Sequence, residues 1–279
     1  MRKEYPKISF LIPSYNHSHY ISYTLDSIVA DASSLNYEIL VIDDGSTDET
    51  KSKLESWCER HEEVDIKVTY RENRGLCATL NQLVHQASGD IIRLCASDDG
   101  IYQGSSLNII SAFEHSEAQV LIGDAFVVDD QGATVGSSAI SLNGGNLLKM
   151  QTQAGLKQEI VANWSLPGPC VAMRKSVYGI VGYYSEDLLV EDWDFFLRLA
   201  ALCQIQFLNT PFSYYRVHAA NTCKTLSYER RFRNNCSQLA AGKQRCHLFA
   251  GKLRLLLKIE CLILRMKIAY LWLKKGFAP

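Results

Sequence analysis

The sequence predicts an α/β fold in which a mostly parallel central sheet is flanked by helices and followed by a helical C-terminal tail. Three observations predict it. Short apolar runs near 8–12, 37–42, 65–70 and 91–96 each lead into a turn containing Pro, Asp, Asn, Ser or Gly. Between the runs lie stretches of helical pattern about 10–15 residues long, the alternation expected of βαβ units. From Lys252 to Lys275, the residues Leu255, Ile259, Leu262, Met266, Ala269 and Leu273 recur at spacings of four and three, which is one stripe along a helix.

In chain order, Ile8-Ser9-Phe10-Leu11-Ile12 reads as a first buried strand stopped by Pro13, with a helix from about Ser18 to Ala30. Tyr37 to Ile42 is the second strand, Asp43-Asp44-Gly45-Ser46 its turn, and Thr47 or Asp48 the cap of a helix running to about Arg60. Asp65 to Tyr70 is the third strand and Gly75 to Ala87 a helix. Gly89-Asp90 then introduces a fourth strand, Ile91-Ile92-Arg93-Leu94-Cys95-Ala96, that ends at Ser97-Asp98-Asp99. Right-handed crossovers align the strand exits, so the turns at 13–16, 43–46, 71–75 and 97–100 should share one edge. Open α/β sheets bind ligands at such carboxyl edges.

Past Gly100 the pattern changes to a helix around 104–116, a strand from Gln119 to Val128, the turn Asp129-Asp130-Gln131-Gly132, and a Gly/Ser/Asn-rich stretch to about Asn146 that is expected to be mobile. Cys170 to Lys175, Asp192 to Leu202, Gln204 to Leu208 and Ser213 to Val217 give a mixed second half. The natural divisions are 1–100 and 101–220 as two halves of one domain and 221–279 as a helical extension; no polar linker separates them.

The 279 residues, 47% hydrophobic and 21% charged, suffice to bury a full core. A formal net charge of −1 gives no bulk attraction to nucleic acid, so a phosphate-bearing partner must be gripped locally. Nine cysteines without a CxxC pair match neither a zinc site nor a disulfide framework, and read as buried thiols in a reducing cytoplasm. Met1 to Pro6 runs into the first strand with no signal-peptide core. No uncharged run approaches the roughly 18 residues that cross a bilayer.

Two adjacent acids at the exit of a buried strand seldom serve packing. Asp98 and Asp99 have the oxygen chemistry that Mg²⁺ or Mn²⁺ takes alongside substrate phosphates; the plainer alternative is a cap for the helix near Gly104. Asp43 and Asp44 are either turn formers or, on the same edge, acceptors for a base N–H or ribose hydroxyls. Arg74, next to Gly75 at a helix start, faces either solvent or a base or phosphate. Glu191-Asp192-Trp193-Asp194 opens a helix, where acids are favourable at the N-terminus; one of them in a cleft would serve as general base toward a hydroxyl. His218, after a strand, is a hydrogen-bonded surface group or a ligand.

Together, Pro13-Ser14-Tyr15-Asn16, the run Glu38 to Asp48, Asn73-Arg74-Gly75, Ser97-Asp98-Asp99, Glu191-Asp192 and Tyr215-Arg216-Val217-His218 resemble the family-2 glycosyltransferases of GT-A fold, the nucleotide-diphospho-sugar transferases, over about residues 1–220. The resemblance implies an inverting enzyme with a nucleotide-sugar donor, a UDP-sugar first, and a divalent metal ion, Mn²⁺ or Mg²⁺. Carried over by position, Asp43, Asp44 and Arg74 contact the nucleoside, with Pro13 and Tyr15 lining the same site. Asp98 faces the ribose or sugar of the donor, Asp99 and His218 hold the metal, and Asp192 is the base. Asn163, Trp164 and Glu191 line the acceptor cleft, with a core position as the alternative for Trp164. Gly100 stands where many relatives have a third acid. The chain also lacks the Gln-x-x-Arg-Trp signature of processive synthases, which implies transfer of one sugar.

Basic residues flank the tail stripe, opposed only by Glu260, a pattern that suits an interfacial helix on anionic lipid as well as packing on the domain or on a second copy in a homo-oligomer. A membrane position fits an acceptor glycan carried on polyprenyl diphosphate, as in bacterial surface-polysaccharide synthesis, and a cytoplasmic enzyme at the inner face of the membrane. Two competing classes remain. A sugar nucleotidyltransferase should carry a Gly-rich loop where this chain has Pro13-Ser14-Tyr15-Asn16-His17-Ser18. A silent nucleotide-sugar-binding scaffold is favoured only by the absent third acid.

Overall fold

The computed structural model describes residues 5–189, 191–219, 221 and 227–275. Its first half is three βαβ steps: β1 (Ile8–Ser14), α1 (Ile21–Ala32), β2 (Tyr37–Asp43), α2 (Thr50–Arg60), β3 (Ile66–Tyr70), α3 (Leu76–Gln86) and β4 (Ile91–Leu94). These strands are parallel in the order β3-β2-β1-β4. β1 runs on through Pro13 to Ser14 instead of stopping. The Leu11 carbonyl accepts from Cys95 N–H on the β4 side and the Ser14 carbonyl accepts from Asp44 N–H on the β2 side. Alternation therefore turns Pro13's missing N–H toward β4, beyond the last ladder pair there, Leu11 with Leu94.

The second half holds β5 (Gly100–Ile101), α4 (Ser105–Glu114), β6 (Val120–Val128), β7 (Thr134–Gly136), α5 (Ala139–Leu142), α6 (Leu147–Met150), α7 (Gln153–Ala162), β8 (Val171–Arg174), α8 (Val177–Val181), α9 (Glu191–Leu202) and β9 (Ile205–Arg216). The sheet continues β4-β8-β6-β9-β5, antiparallel except for β6 with β9. The two strands expected at 204–208 and 213–217 are one strand, β9, interrupted by a register shift around Pro211. The Gly/Ser/Asn-rich stretch is not loose. It forms the β6–β7 hairpin and α5, whose Ile140 N–H donates to Asp124 Oδ1 at 3.1 Å, while Ser138, Asn146 and Thr152 cap the helices they precede.

Period-2 alternation sends β1 side chains to two cores. Phe10 and Ile12 join α1, α2 and α4 on one face; Leu11 joins α3, α7 and α9 on the other. The C-terminal helices α10 (Tyr228–Arg245) and α11 (Gly251–Lys275) lie over the second face. On α11 the side chains that pack inward are Leu257, Leu264 and Leu271, seven apart. The stripe Leu255, Ile259, Leu262, Met266, Ala269 and Leu273, for which lipid, the domain and a second copy were the alternatives, is exposed and so does not pack on the domain. α11 is apolar on two sides, and periodicity alone does not choose between them.

Candidate active site

The exits of β1, β2, β3 and β4 meet at the carboxyl edge. The turn after β1 is clasped to the turn after β2: Asn16, at φ +55°, donates its N–H to Ser46 Oγ at 2.8 Å and accepts from Thr47 N–H through Oδ1 at 2.8 Å. Asp48 joins the clasp by accepting from Ser18 N–H and Thr50 N–H. Tyr15 projects from this turn, exposed, and Pro13 is half-buried.

Asp43 and Asp44 are both buried. Asp43 accepts through Oδ1 from Ser46 N–H and Oγ–H. The Asp44 carboxylate is filled by Arg71 (2.9 Å to Nε, 2.8 Å to Nη2) and by the backbone N–H groups of Arg74 (3.0 Å) and Gly75 (2.8 Å). Asp44 therefore shapes the 71–75 turn, and the exposed Arg74 side chain extends from it. Arg71, which also reaches Gln82 and Thr79, was not singled out in the sequence. The available signal was its place next to Tyr70, the ladder partner of Asp43.

The turn after β4 carries the densest chemistry. The carboxylate beside His218 belongs to Asp98: Oδ2 lies 3.0 Å from His218 Nε2 and 3.8 Å from His17 Nε2. Asp99, to which the family resemblance gave the ion, points away and accepts through Oδ1 from Arg216 N–H at 2.8 Å. Burial and the neighbouring Asp98 charge push the Asp99 carboxyl well above the usual carboxylate range, against the pull of Arg216. Neither acid caps α4, which starts behind Gly104 without a side-chain cap. A third acid at Gly100 would have to displace the Tyr23 ring, which lies 2.7 Å from where its Cβ would sit.

His17, like His218, lies beside Asp98. Its Nδ1 lies 2.7 Å from Ser97 Oγ and its backbone N–H donates to Thr50 Oγ1, which fixes the ring with Nε2 toward Asp98. Burial lowers its pKa, favouring the neutral imidazole. One donor atom from each of His17, Asp98 and His218 lies within 4.8 Å of the others. Ligands sharing an ion at about 2.1 Å sit roughly 3 Å apart, so modest closure would let the three meet on one metal. The other nitrogen of His218, Nδ1, is buried with no hydrogen-bond partner among the described residues. Tyr20 covers that ring at 4.7 Å and donates its hydroxyl to Asp130 at 2.5 Å; burial and this bond push its pKa up to about 12. Arg216 holds the frame by donating to the carbonyls of Asp98, Asp129 and Asp130.

At the start of α9 the acids separate. Asp194 is fully buried and bound by Arg198 and Arg245 at 2.8 and 2.7 Å. Asp192 is half-buried, with Oδ1 accepting from Trp193 N–H at 2.6 Å and Oδ2 from Trp164 Nε1 at 3.2 Å. Burial raises its pKa against those two bonds. Trp164 thus touches Asp192 while its ring rests on Phe196. Asn163 spends its amide on Gly144 O and Glu159, and the side chain of Glu191 lies outside the described residues.

Residues 9–179 match the model of glycosyl transferase family 2. A poly-beta-1,6-N-acetyl-D-glucosamine synthase of Staphylococcus aureus is 30% identical over 202 residues, 68% of this chain and 46% of its own length. An uncharacterized glycosyltransferase of Nostoc sp. is 25% identical over 229 residues, 77% of this chain and 66% of its own. The chain thus spans about half the length of the staphylococcal relative. Among solved structures, the mannosyltransferase PcManGT from Pyrobaculum calidifontis, in complex with GDP-Man and Mn²⁺, superposes with a TM-score of 0.69 at 16% identity, covering 100% of this chain and 77% of that one. S. aureus TarS 1-349, in complex with UDP-GlcNAc, gives 0.59 at 21%, covering 87% and 70%. These two likenesses establish the fold as that of GT-A glycosyltransferases, and the family match over more than half the sequence establishes the lineage: the chain belongs to glycosyl transferase family 2.

Proposed function

We propose that the chain transfers a single sugar from a nucleotide-sugar, a UDP-sugar first, to a hydroxyl of a glycan or of a polyprenyl-diphosphate-linked saccharide, with inversion, on the cytoplasmic side of a membrane. The observation that carries the reading is the contact of Asp98 with His218 and His17 at the mouth of the parallel strands. The structural neighbours hold both kinds of donor, UDP-GlcNAc on TarS and GDP-Man on PcManGT, so the base is left to titration.

In this reading Asp43, Tyr15 and Pro13 line the nucleoside pocket, and Asp44 acts through the turn that presents Arg74. His17, Asp98 and His218 hold the divalent ion, with Asp99 behind them fixing Arg216 and the turn. Two imidazoles and one carboxylate suit Mn²⁺ better than Mg²⁺, which prefers all-oxygen shells. The bound ion supplies positive charge to the leaving diphosphate. Asp192, oriented by Trp164 and Trp193, accepts the proton of the acceptor hydroxyl as that oxygen attacks the anomeric carbon on the face opposite the nucleoside diphosphate. One displacement inverts the centre, and no side chain forms a covalent intermediate.

Calorimetric titration of UDP, GDP, dTDP and CDP with and without Mn²⁺ tests this. One nucleotide should bind in a Mn²⁺-dependent manner, and Asp98→Ala should remove the metal dependence. Absence of nucleotide binding by folded protein would overturn the reading, whereas binding without any sugar transfer would support the scaffold.

A further inference from the structure

α11 carries an apolar surface that the rest of the described chain leaves bare. Leu255, Ile259, Leu262, Met266 and Leu273 are each 45–75% exposed, on the side away from the buried Leu257, Leu264 and Leu271. At 3.6 residues per turn, one margin of this stripe is Arg254, Lys258 and Arg265, and the other is Lys252, Lys267 and Lys274, all exposed. The only acid on the helix, Glu260, sits half-buried toward the packed side. Tyr270 and Trp272, amphipathic aromatics, are exposed near the C-terminal end. Lys274 lies over Tyr270 at 5.2 Å and near Tyr228 at the start of α10, which places the exposed Arg230 and Arg231 at the same end.

Charge is divided accordingly. α10 and α11 together hold 12 Lys/Arg against 2 Asp/Glu, a formal +10; with −1 for the whole chain, −11 falls on the remainder.

We propose that α11 is the docking surface for an anionic lipid bilayer, lying in the plane of the headgroups with the Leu255–Leu273 stripe immersed and the two basic margins against phosphate. A spanning orientation is ruled out by the inward face, which is part of the domain core, and no described helix is long and apolar enough to cross a membrane. A second copy of the chain is the poorer occupant, because face-to-face pairing would set basic margins against basic margins; Glu229 on α10 is already paired with Arg233 at 2.7 Å. An apolar stripe bordered on both sides by Lys and Arg is complementary instead to an acyl layer bordered by phosphates. The acidic remainder of the molecule is repelled by the same surface, so one orientation is selected.

Vesicle co-sedimentation of the full chain tests the proposal. Binding to phosphatidylcholine vesicles containing phosphatidylglycerol should exceed binding to pure phosphatidylcholine by about tenfold or more and weaken with added salt. The paired substitution Leu262→Asp with Met266→Asp should abolish it, and Lys258→Glu with Arg265→Glu should reduce it at least severalfold, with unchanged circular dichroism. Folded wild type that ignores the anionic vesicles overturns the proposal, as does equal binding by the apolar-face variant. A dimer dissolved by Leu262→Asp with Met266→Asp, in protein that does not bind lipid, would assign the stripe to a second copy. Nucleotide calorimetry on the same variants reads the donor site separately, so failure of lipid binding and failure of the transferase reading are distinguishable.

Discussion

Asp192 and Asp194 are two positions apart on one helix and occupy opposite electrostatic settings. Asp194 faces inward onto two guanidinium groups, whereas Asp192 takes N–H donors from Trp193 and Trp164 and is left by burial with a raised pKa. Asp192→Asn keeps the shape and removes the basicity, so sugar transfer should fall by about 10²–10⁴ while Mn²⁺-dependent nucleotide binding persists; parallel activity assays and calorimetry check this. In the proposed transfer Asp192 acts ionised, so the acid limb of the wild-type rate should also lie above the ordinary carboxylate range, with activity lost as pH falls through it. Several of these residues were legible as acids at strand or helix ends. Which acid turns toward His218 was not. That depends on the tight turn in which Asp99 N–H donates to the Ala96 carbonyl, a backbone detail that adjacent identical residues conceal. His17 escaped notice because its partners, Ser97 and Asp98, are 80 and 81 positions away.

At the level of elements, β4 is instructive because it carries a fully buried arginine. Arg93 Nη1 donates to Asp31 on α1 and to Ser105 and Ser106 on α4, and Nη2 donates to the Phe212 carbonyl on β9. One side chain thus ties the strand that leads to Asp98 to three neighbours. Arg93→Ala leaves Asp31 charged and unpaired in the core, so unfolding free energy should drop by about 3–5 kcal/mol, measurable by urea titration. The first four strands and three helices were legible, since each has a strong period and a clear stop. The break read near 209–212 is real in the backbone, but it is a bulge within β9: Ile122 pairs with Phe207 and Asp124 with Pro211. A local sequence cannot tell a bulge from a loop, because the difference lies in the partner strand. The 132–146 stretch misled for a similar reason, its order being supplied by Asp124 and by caps.

For the whole molecule, acid stability follows from carboxylates held by hydrogen bonds, the buried Glu38 and the exposed Asp48. Burial alone would raise Glu38, but donors from Ser9, Ser88 and Lys7 outweigh it and bring its pKa from 4.5 to about 2. Asp48 is brought to about 2 by Thr50 and Ser18 in the same way. A depressed acid contributes stability that is present above its unfolded pKa and lost as pH falls toward the folded one. Thermal midpoints should therefore fall between about pH 4.5 and 2. The gap between wild type and Glu38→Gln, on the order of 3 kcal/mol at neutral pH, should close over that interval. Asp99 and Asp192, raised rather than depressed, act in the opposite sense, so the comparison with Glu38→Gln isolates the first effect. The contact between Asp98 and His218 has a further consequence for the molecule's birth, since 120 positions separate the two. A ribosome adding about 5–20 residues per second needs roughly 6–24 s to deliver the histidine after the aspartate. For that interval the nascent chain carries β1 to β4 without the partner of Asp98, and a message cut short before β9 yields a chain in which the Asp98–His218 contact never forms.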